Sequence, residues 1–498
     1  MRKSTLLAGL VVASLSAAAF SQLPEAQSIS AQDKATGAKA HPDLLAEYGG
    51  AYAGPQADYV ARVGRRVAGQ SGIANVNRDF TFTLLNSPVE NAFAIPGGYV
   101  YCTRQLLALM NDEAELAFVL GHETGHIAAH HADQRNSVAQ RDVLLGSLGQ
   151  AVLGAILGNG QLGQKLGQFG TSGINRLVVG NVMHHSRQQE FEADDLGVGF
   201  ADRAGYDPLA APDMLTSLAA QEALDKRISG NARITLRWAM SHPDPGSRVG
   251  RALALARQQR PASSYRNNDA LLMSLKGMLY GDDPRQGVID GQTFKYPDTG
   301  FRFTAPAGYG MENGTDAVTI GGMSGNVGGQ ARFSGGRYDG TLDGYVGKVL
   351  AGLSKNAAAP AMTRGAINGM ETATARVRGQ DGSGRAVDVT IVAYAFAPGT
   401  AYSFVVLQPQ GAGLGDLAPL VQSFSRMTAA EAAAVRPRIV DVVTVQRGDS
   451  VASLAAQMAY TDLKADRFRV LNGLSPEATA LTPGRKVKLI VWGTSNRS

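Results

Sequence analysis

Cysteine is almost absent from the chain, since Cys102 is the single thiol in 498 residues. One cysteine excludes an intramolecular disulfide and a zinc site built from several thiolates. Runs of like charge are missing as well. A net charge of +5 without a cluster of Lys or Arg gives no support for a nucleic-acid partner.

Apolar runs long enough to cross a membrane are also missing, because a spanning helix needs about 20 apolar residues. Glycine interrupts every apolar block of 143–182, which favours a mobile flap or a loosely packed helical hairpin. The chain starts with a basic pair, a short apolar stretch and small residues, MRKSTLLAGLVVASLSAAAFSQ. This pattern predicts a signal peptide over 1–21, secretion across the inner membrane and a periplasmic location. A flexible segment is expected over 22–44.

Four of the eight histidines lie within residues 121–131, GHETGHIAAHH. The pattern predicts a helix that begins near Asp112, which has the spacing of a capping box with Glu115. His122 and His126 are four residues apart, so both rings project from one face and can bind one Zn²⁺. Glu123 points to the side, where the general base of an HExxH metallopeptidase lies.

A third ligand has two candidate sources. A later histidine in the pattern HExxHxxGxxH fails, because Ala129 and Ala132 occupy the positions that this pattern needs. His130 lies one turn too far along the helix to complete a tetrahedral site. For His130 and His131 a solvated helix face is expected.

The other source is a second predicted helix with the sequence QEFEADDLG. Glu190 and Asp194 are four residues apart and share a face. Glu190 would complete a His₂Glu site and leave one position open, as a catalytic zinc site requires. Asp194 can accept the second N–H of a ligand histidine and fix its tautomer.

Four segments in this order resemble the HtpX/CAAX-prenyl-protease family of gluzincin zinc metallopeptidases: NAFAIPGGYVY, ELAFVLGHETGHIAAHH, SRQQEFEADDLG and SHPDPGSR. The likeness is greatest to the soluble periplasmic, BepA/LoiP-like branch. It covers 45–258 and implies a mainly helical zinc peptidase domain with a small sheet. The resemblance implies that His122, His126 and Glu190 are the zinc ligands and that Glu123 is the general base. It also implies that Asp194 supports His122. Asn91, Ala92 and Phe93 would lie on the edge strand that pairs with substrate.

The segment SHPDPGSR adds two further candidates. By the same resemblance, His242 can take the open position on zinc as a regulatory fourth ligand; otherwise it is a loop histidine without metal contact. Arg248 is a candidate catalytic residue that stabilises the oxyanion, or it pairs with an acid such as Asp194.

The remainder of the chain predicts further domains, because 498 residues are too many for one compact core. A linker is expected over 259–288 and an antiparallel α+β sandwich of unknown role over 289–430. Residues 438–493 form a predicted βααβ unit that resembles a LysM module. LysM modules commonly bind peptidoglycan; the alternative is a degenerate module that packs against the peptidase.

The predicted protein is thus a multidomain α+β, periplasmic zinc endopeptidase. It binds one zinc ion and acts on misfolded or misassembled envelope proteins. The alternative is a largely latent protease that serves as a chaperone-like or peptidoglycan-associated scaffold. A peptidoglycan amidase is a third reading that rests on the LysM-like tail alone.

Overall fold

A computed structural model of the chain describes residues 28–132, 185–228, 242, 244–259, 264–322, 328–353, 360–380 and 385–494. The predicted signal peptide and the predicted flap over 143–182 lie outside these residues. The described part is α+β, as the sequence predicts. No helix within it is both long enough and apolar enough to cross a membrane.

The N-terminal half is mainly helical and contains one small sheet. Its helices are α1 (Ala31–Glu47), α2 (Pro55–Ala68), α3 (Val76–Asp79), α4 (Arg104–Leu109), α5 (Glu113–Ala128), α6 (Arg187–Arg203), α7 (Ala210–Ile228) and α8 (Pro245–Gln258). Its strands are β1 (Thr81–Leu85), β2 (Ala92–Ile95) and β3 (Tyr99–Thr103), in the order β1-β3-β2. Strand β1 is parallel to β3 and β2 is antiparallel to it, so β2 lies at an edge.

Helix α1 occupies most of the segment that the sequence predicts to be flexible, 22–44. The helix contains Pro42 and shows little apolar patterning, which explains why its local sequence gives a weak helix signal. Tertiary contacts hold it in place. Lys34 Nζ lies 2.9 Å from Asp79 Oδ1, and Leu44 is buried against the sheet.

The two helices that carry the predicted metal ligands begin at capping residues. The Asp112 side chain accepts from the Glu115 N–H, which starts α5 where the sequence predicts. In a full capping box the Glu115 side chain would accept from the Asp112 N–H. Here Glu115 Oε2 accepts from the Asn111 N–H instead, at 2.7 Å. Helix α6 has a complete capping box between Ser186 and Gln189.

The expected linker over 259–288 is wrong, because this segment is part of the core. It contains helix α9 (Asn268–Leu275) and strand β4 (Leu279–Tyr280). Leu271 and Leu275 are buried in the same apolar cluster as the residues of α2 and α5. The segment therefore packs with the N-terminal half instead of separating it from the rest of the chain.

The middle region is built from two antiparallel sheets. Its strands are β5 (Val288–Asp290), β6 (Thr293–Tyr296), β7 (Phe301–Thr304), β8 (Tyr309–Asn313), β9 (Val318–Gly322), β10 (Gln330–Arg337), β11 (Met362–Ile367), β12 (Met370–Gln380), β13 (Ala386–Ala397), β14 (Thr400–Pro409) and β15 (Ser425–Arg426). Its helices are α10 (Leu342–Leu353), α11 (Ala418–Ser423) and α12 (Ala429–Ala434). The seven-stranded sheet has the order β11-β12-β13-β14-β10-β9-β8, and the four-stranded sheet has the order β15-β7-β6-β5. An aromatic core that includes Phe303, Phe333 and Phe404 joins them.

The C-terminal unit consists of β16 (Arg438–Thr444), α13 (Val451–Ala456), α14 (Lys464–Leu471) and β17 (Lys486–Trp492). This is the predicted βααβ order, but the unit is not a separate module. Strand β16 pairs with β4, and Val440 and Phe468 belong to the apolar cluster of the N-terminal half. The fully buried Lys488 donates to three carbonyl oxygens at the end of α4.

A candidate metal centre between two helices

Helices α5 and α6 pack together and bury the residues that the sequence singles out. His122, Glu123 and His126 lie on α5, and Glu190 and Asp194 lie on α6. None of the five is more than 4% exposed. Because His122 and His126 are four residues apart, they share the face of α5 that meets α6. Glu190 and Asp194 share the face of α6 that meets α5 for the same reason.

Ligand atoms of four side chains converge between these helices. His122 Nε2 lies 3.0 Å from His126 Nε2 and 3.2 Å from His242 Nδ1. The Glu190 carboxylate oxygens lie 3.5 Å from His126 Nε2 and 3.7 Å from His122 Nε2. His242 Nδ1 is 3.1 Å from Glu190 Oε1.

These separations fit a tetrahedral cation. Zinc bonds of about 2.0–2.1 Å place the ligand atoms of a tetrahedron about 3.3–3.4 Å apart, and the observed distances run from 3.0 Å to 3.7 Å. A cation between the ring nitrogens would accept a lone pair from each of them. The structure thus brings together His122, His126 and Glu190, the three predicted ligands, with His242 at the position of a fourth.

Asp194 and Arg248 support this set from behind. His122 Nδ1 lies 3.0 Å from Asp194 Oδ1, so the carboxylate accepts its proton and leaves Nε2 free to bind metal. Arg248 Nε donates to Asp194 Oδ2 at 2.8 Å, and its Nη1 lies 2.7 Å from Glu190 Oε2. Burial alone would raise the pKa of Asp194, but the hydrogen bonds and charge of Arg248 lower it. This geometry favours the ion-pair alternative for Arg248 over the oxyanion role.

Glu123 has a different environment. Both of its carboxylate oxygens are buried without a hydrogen-bond partner among the described residues. Burial raises the pKa of Glu123, and this is the largest influence on it. His242 Nε2 is 3.4 Å from Glu123 Oε1. A buried carboxylate with a raised pKa beside the candidate ligands is suited to accept a proton from water.

His242 connects the centre to the edge of the small sheet. Its Nδ1 faces the metal ligands, and its Nε2 lies 3.2 Å from the Ala92 carbonyl oxygen on β2. That carbonyl points away from β3, toward the side on which an extended peptide would add to the sheet. His242 therefore occupies a ligand position and a strand-pairing position together.

The other two edge-strand candidates have structural contacts. The Asn91 N–H donates to Thr103 Oγ1 at 3.1 Å and precedes the first residue of β2. Phe93 packs against Tyr101, with ring centroids 4.7 Å apart, on the face of the sheet that meets α1. Of the three, Ala92 is the residue whose backbone faces the centre.

Two buried histidines beside the centre were not predicted to take part in it. The expectation of a solvated face is wrong for His131, which is 0% exposed and has its Nδ1 2.8 Å from His126 Nδ1. Helix α5 ends at Ala128, and His130 has φ of 53°, so the chain turns back instead of continuing the helical stripe. His185 is also buried and stacks on His126, with centroids 3.6 Å apart. The sequence signal that could have indicated this place was the position of His185 directly before Ser186, the N-cap of α6.

Comparison with known proteins agrees with this centre. Residues 55–256 match the profile of peptidase family M48. The beta-barrel assembly-enhancing protease of Yersinia pestis is 31% identical over 229 residues, which are 45% of this chain and 44% of that protein. The mitochondrial metalloendopeptidase OMA1 of Schizosaccharomyces pombe is 29% identical over 213 residues, covering 42% of this chain and 57% of that protein.

The chain spans about half the length of the curated relatives that it matches. A solved structure from Bacteroides thetaiotaomicron covers 42% of the chain at 14% identity, with a TM-score of 0.24 that is too low to indicate a shared fold. The range that matches the family profile, 55–256, contains the residues of the candidate metal centre.

Proposed function

We propose that the chain is a zinc-dependent endopeptidase that hydrolyses peptide bonds, because residues 55–256 match the profile of peptidase family M48. The observation that carries the proposal is the convergence of His122, His126 and Glu190 beside the buried Glu123. Three protein ligands and an adjacent carboxylate base are the parts that hydrolysis at a zinc centre requires.

The chain's own residues supply the proton transfers. His122, His126 and Glu190 would hold the ion, and Zn²⁺ bound there would supply Lewis acidity and lower the pKa of water to about 7. Glu123 accepts a proton as water attacks the peptide carbonyl, and it then gives that proton to the leaving amine. Asp194 and Arg248 act as positioning residues, since they contact the ligands and not the reacting bond. Strand β2 aligns an extended substrate through the Ala92 carbonyl.

The substrate class follows from the relatives. The Yersinia pestis relative is named a beta-barrel assembly-enhancing protease. With the signal-peptide pattern of residues 1–21, this name supports a periplasmic enzyme that acts on misfolded or misassembled envelope proteins. An edge strand that binds backbone groups suits unfolded segments of varied sequence.

A resting state with little activity is the second candidate, and the position of His242 favours it. With Nδ1 at the fourth corner and Nε2 on the Ala92 carbonyl, His242 excludes water and substrate from the places that both need. A chaperone-like or scaffold role would then dominate until His242 moves. The burial of Lys488 against α4 supports a packing role for the LysM-like unit over peptidoglycan binding.

The proposal is tested by zinc content and casein cleavage, measured on the native protein and on Glu123→Gln. We expect one zinc per chain in both proteins and loss of cleavage in the variant. The same pair is compared in a His242→Ala background, in which the fourth contact is removed. Undiminished cleavage by Glu123→Gln in either background, or a native protein without zinc, would remove the peptidase assignment.

A further inference from the structure

We propose that His131 and Glu192 are positioning residues that fix the ring of His126 as a metal ligand. The inference rests on the proposed metal centre but not on peptide hydrolysis. It assigns a role to a histidine outside the HExxH motif and to a carboxylate that does not reach the centre.

The contacts form a chain of three side chains. His126 Nδ1, the nitrogen that faces away from His122, lies 2.8 Å from His131 Nδ1. His131 Nε2 lies 3.3 Å from Glu192 Oε2. His131 is fully buried, while about half of the Glu192 side chain is exposed. The chain therefore runs from the metal centre, through a buried ring, to a carboxylate at the surface of α6.

The positions of the ring protons follow from the metal at one end of this chain of contacts and the Glu192 carboxylate at the other. A neutral imidazole that binds metal through Nε2 carries its proton on Nδ1, so His126 must donate from Nδ1. His131 Nδ1 must then accept, which places the His131 proton on Nε2, where the Glu192 carboxylate accepts it. One tautomer of each ring satisfies both contacts. The carboxylate thus selects the orientation in which His126 presents its lone pair to the metal.

Helix α6 thereby supports both histidine ligands. Asp194 accepts directly from His122 at 3.0 Å. Glu192 lies two residues before Asp194, so its side chain leaves the helix on a different side and cannot reach His126 directly. The ring of His131 spans this gap. The left-handed conformation of His130, with φ of 53°, returns the chain so that the ring lies beside His126.

A second metal site is the rival interpretation of the same residues. Ligand atoms of His126, His131 and His185 lie within 4.8 Å of one another. In that case His126 Nδ1 would bind a cation and could not donate a hydrogen bond. Metal stoichiometry therefore separates the two interpretations.

The test compares zinc affinity, by chelator competition, in His131→Asn and His131→Leu. These side chains have similar shapes, but only Asn places an acceptor oxygen near the position of Nδ1. We expect His131→Leu to weaken zinc binding by about 10–100-fold and His131→Asn to stay within a few-fold of the native protein. Glu192→Gln keeps an acceptor without charge and should show a smaller loss, while His130→Asn, an exposed neighbour that tolerates positive φ, should show none.

Two results would overturn the proposal. One is equal zinc affinity of the Leu, Asn and native proteins. The other is a native protein with two zinc ions per chain that falls to one in His131→Leu, which would assign a second metal site. The thermal midpoint of each metal-free variant separates lost ligation from lost folding, and if His131→Leu does not fold, Glu192→Gln and His131→Asn still give the comparison. A Glu123→Gln protein that still cleaves casein would remove the proposed hydrolysis but leave this result intact.

Discussion

Gly197 of α6 lies against the main chain of His122 on α5. A Cβ atom at residue 197 would stand 2.8 Å from the His122 nitrogen and 3.0 Å from its Cα. The contact is reciprocal, because a Cβ at Gly121 would stand 3.0 Å from the Gly197 carbonyl oxygen. Glycine at this crossing lets the two helices approach closely enough for Glu190 to reach the histidines. The geometry of the candidate metal centre therefore depends on a backbone contact as well as on the proposed ligands.

Gly197→Ala should separate the helices and weaken the centre. The added methyl group meets backbone atoms, which cannot move aside as a side chain can, and such overpacking costs about 1–3 kcal/mol. We expect a lower denaturant midpoint and weaker zinc binding. Gly250→Ala on α8 is the matched control, because its Cβ meets nothing within 4 Å and alanine favours a helix. Equal zinc affinity in both variants would contradict this reading of the crossing.

His242→Ala should raise peptidase activity while zinc remains bound. Three ligands stay in place, and both the fourth corner and the Ala92 carbonyl become available. We expect kcat/KM for an unfolded substrate to rise about tenfold or more, equivalent to about 1.4 kcal/mol of barrier. His130→Asn serves as a control for loss of a nearby histidine. Unchanged activity at full zinc content would show that His242 does not restrain the enzyme.

Lys488→Met should destabilise the N-terminal half although the substitution lies in the C-terminal βααβ unit. The Lys488 ammonium donates to the carbonyl oxygens of Ala108 at 2.7 Å and Leu109 at 3.1 Å. Leaving a buried acceptor without a donor costs about 1–3 kcal/mol. We expect a clear fall in the denaturant midpoint, measured by zinc release as well as by circular dichroism.

Lys486→Met is the control on the same strand. Lys486 is partly exposed and pairs with the exposed Asp269, so its loss should change stability by about 0.5 kcal/mol or less. If the C-terminal βααβ unit folded independently of the N-terminal half, the two variants would behave alike and both would retain zinc.

Local spacing was sufficient to predict which residues of the candidate centre share a helix face. The interval of four residues on a helix identifies His122 with His126, and the same interval identifies Glu190 with Asp194. The structure brings these four residues together. His131 could not be found in this way, because periodicity assumes a continuing helix, whereas α5 ends at Ala128 and His130 has a left-handed conformation.

The domain boundaries were harder to predict, because they depend on contacts between distant segments. Strand alternation places Lys486 and Lys488 on one face of β17, yet one is partly exposed and the other is fully buried. The carbonyl oxygens of α4 make this difference, and nothing near Lys488 in the sequence indicates them. Helix α9 did carry a local signal, because Leu271 and Leu275 are four residues apart, as on one face of a helix.

Glu113→Gln should remove part of the acid sensitivity of the fold. Burial alone would raise the pKa of the Glu113 carboxyl, but hydrogen bonds from Tyr206, Tyr59 and Asn267 and the charge of Arg62 lower it below its usual value. A carboxyl with a lowered folded-state pKa stabilises the fold fully above its unfolded pKa, near 4.5. That stabilisation is lost as the pH falls through the folded value. The native protein should therefore exceed Glu113→Gln in stability at pH 7, and the difference should shrink below pH 4.5.

Denaturant midpoints of the metal-free proteins between pH 7 and pH 3 measure this difference without contributions from zinc binding. Glu222→Gln is the matched control on α7, because Glu222 forms a surface pair with Lys226 that contributes about 0.5 kcal/mol or less. If the difference in stability between the native and Glu113→Gln proteins stays constant or grows on acidification, the Glu113 carboxyl is not held ionised. The contacts from Tyr206 at 2.7 Å and Asn267 at 2.8 Å would then stabilise a neutral acid instead.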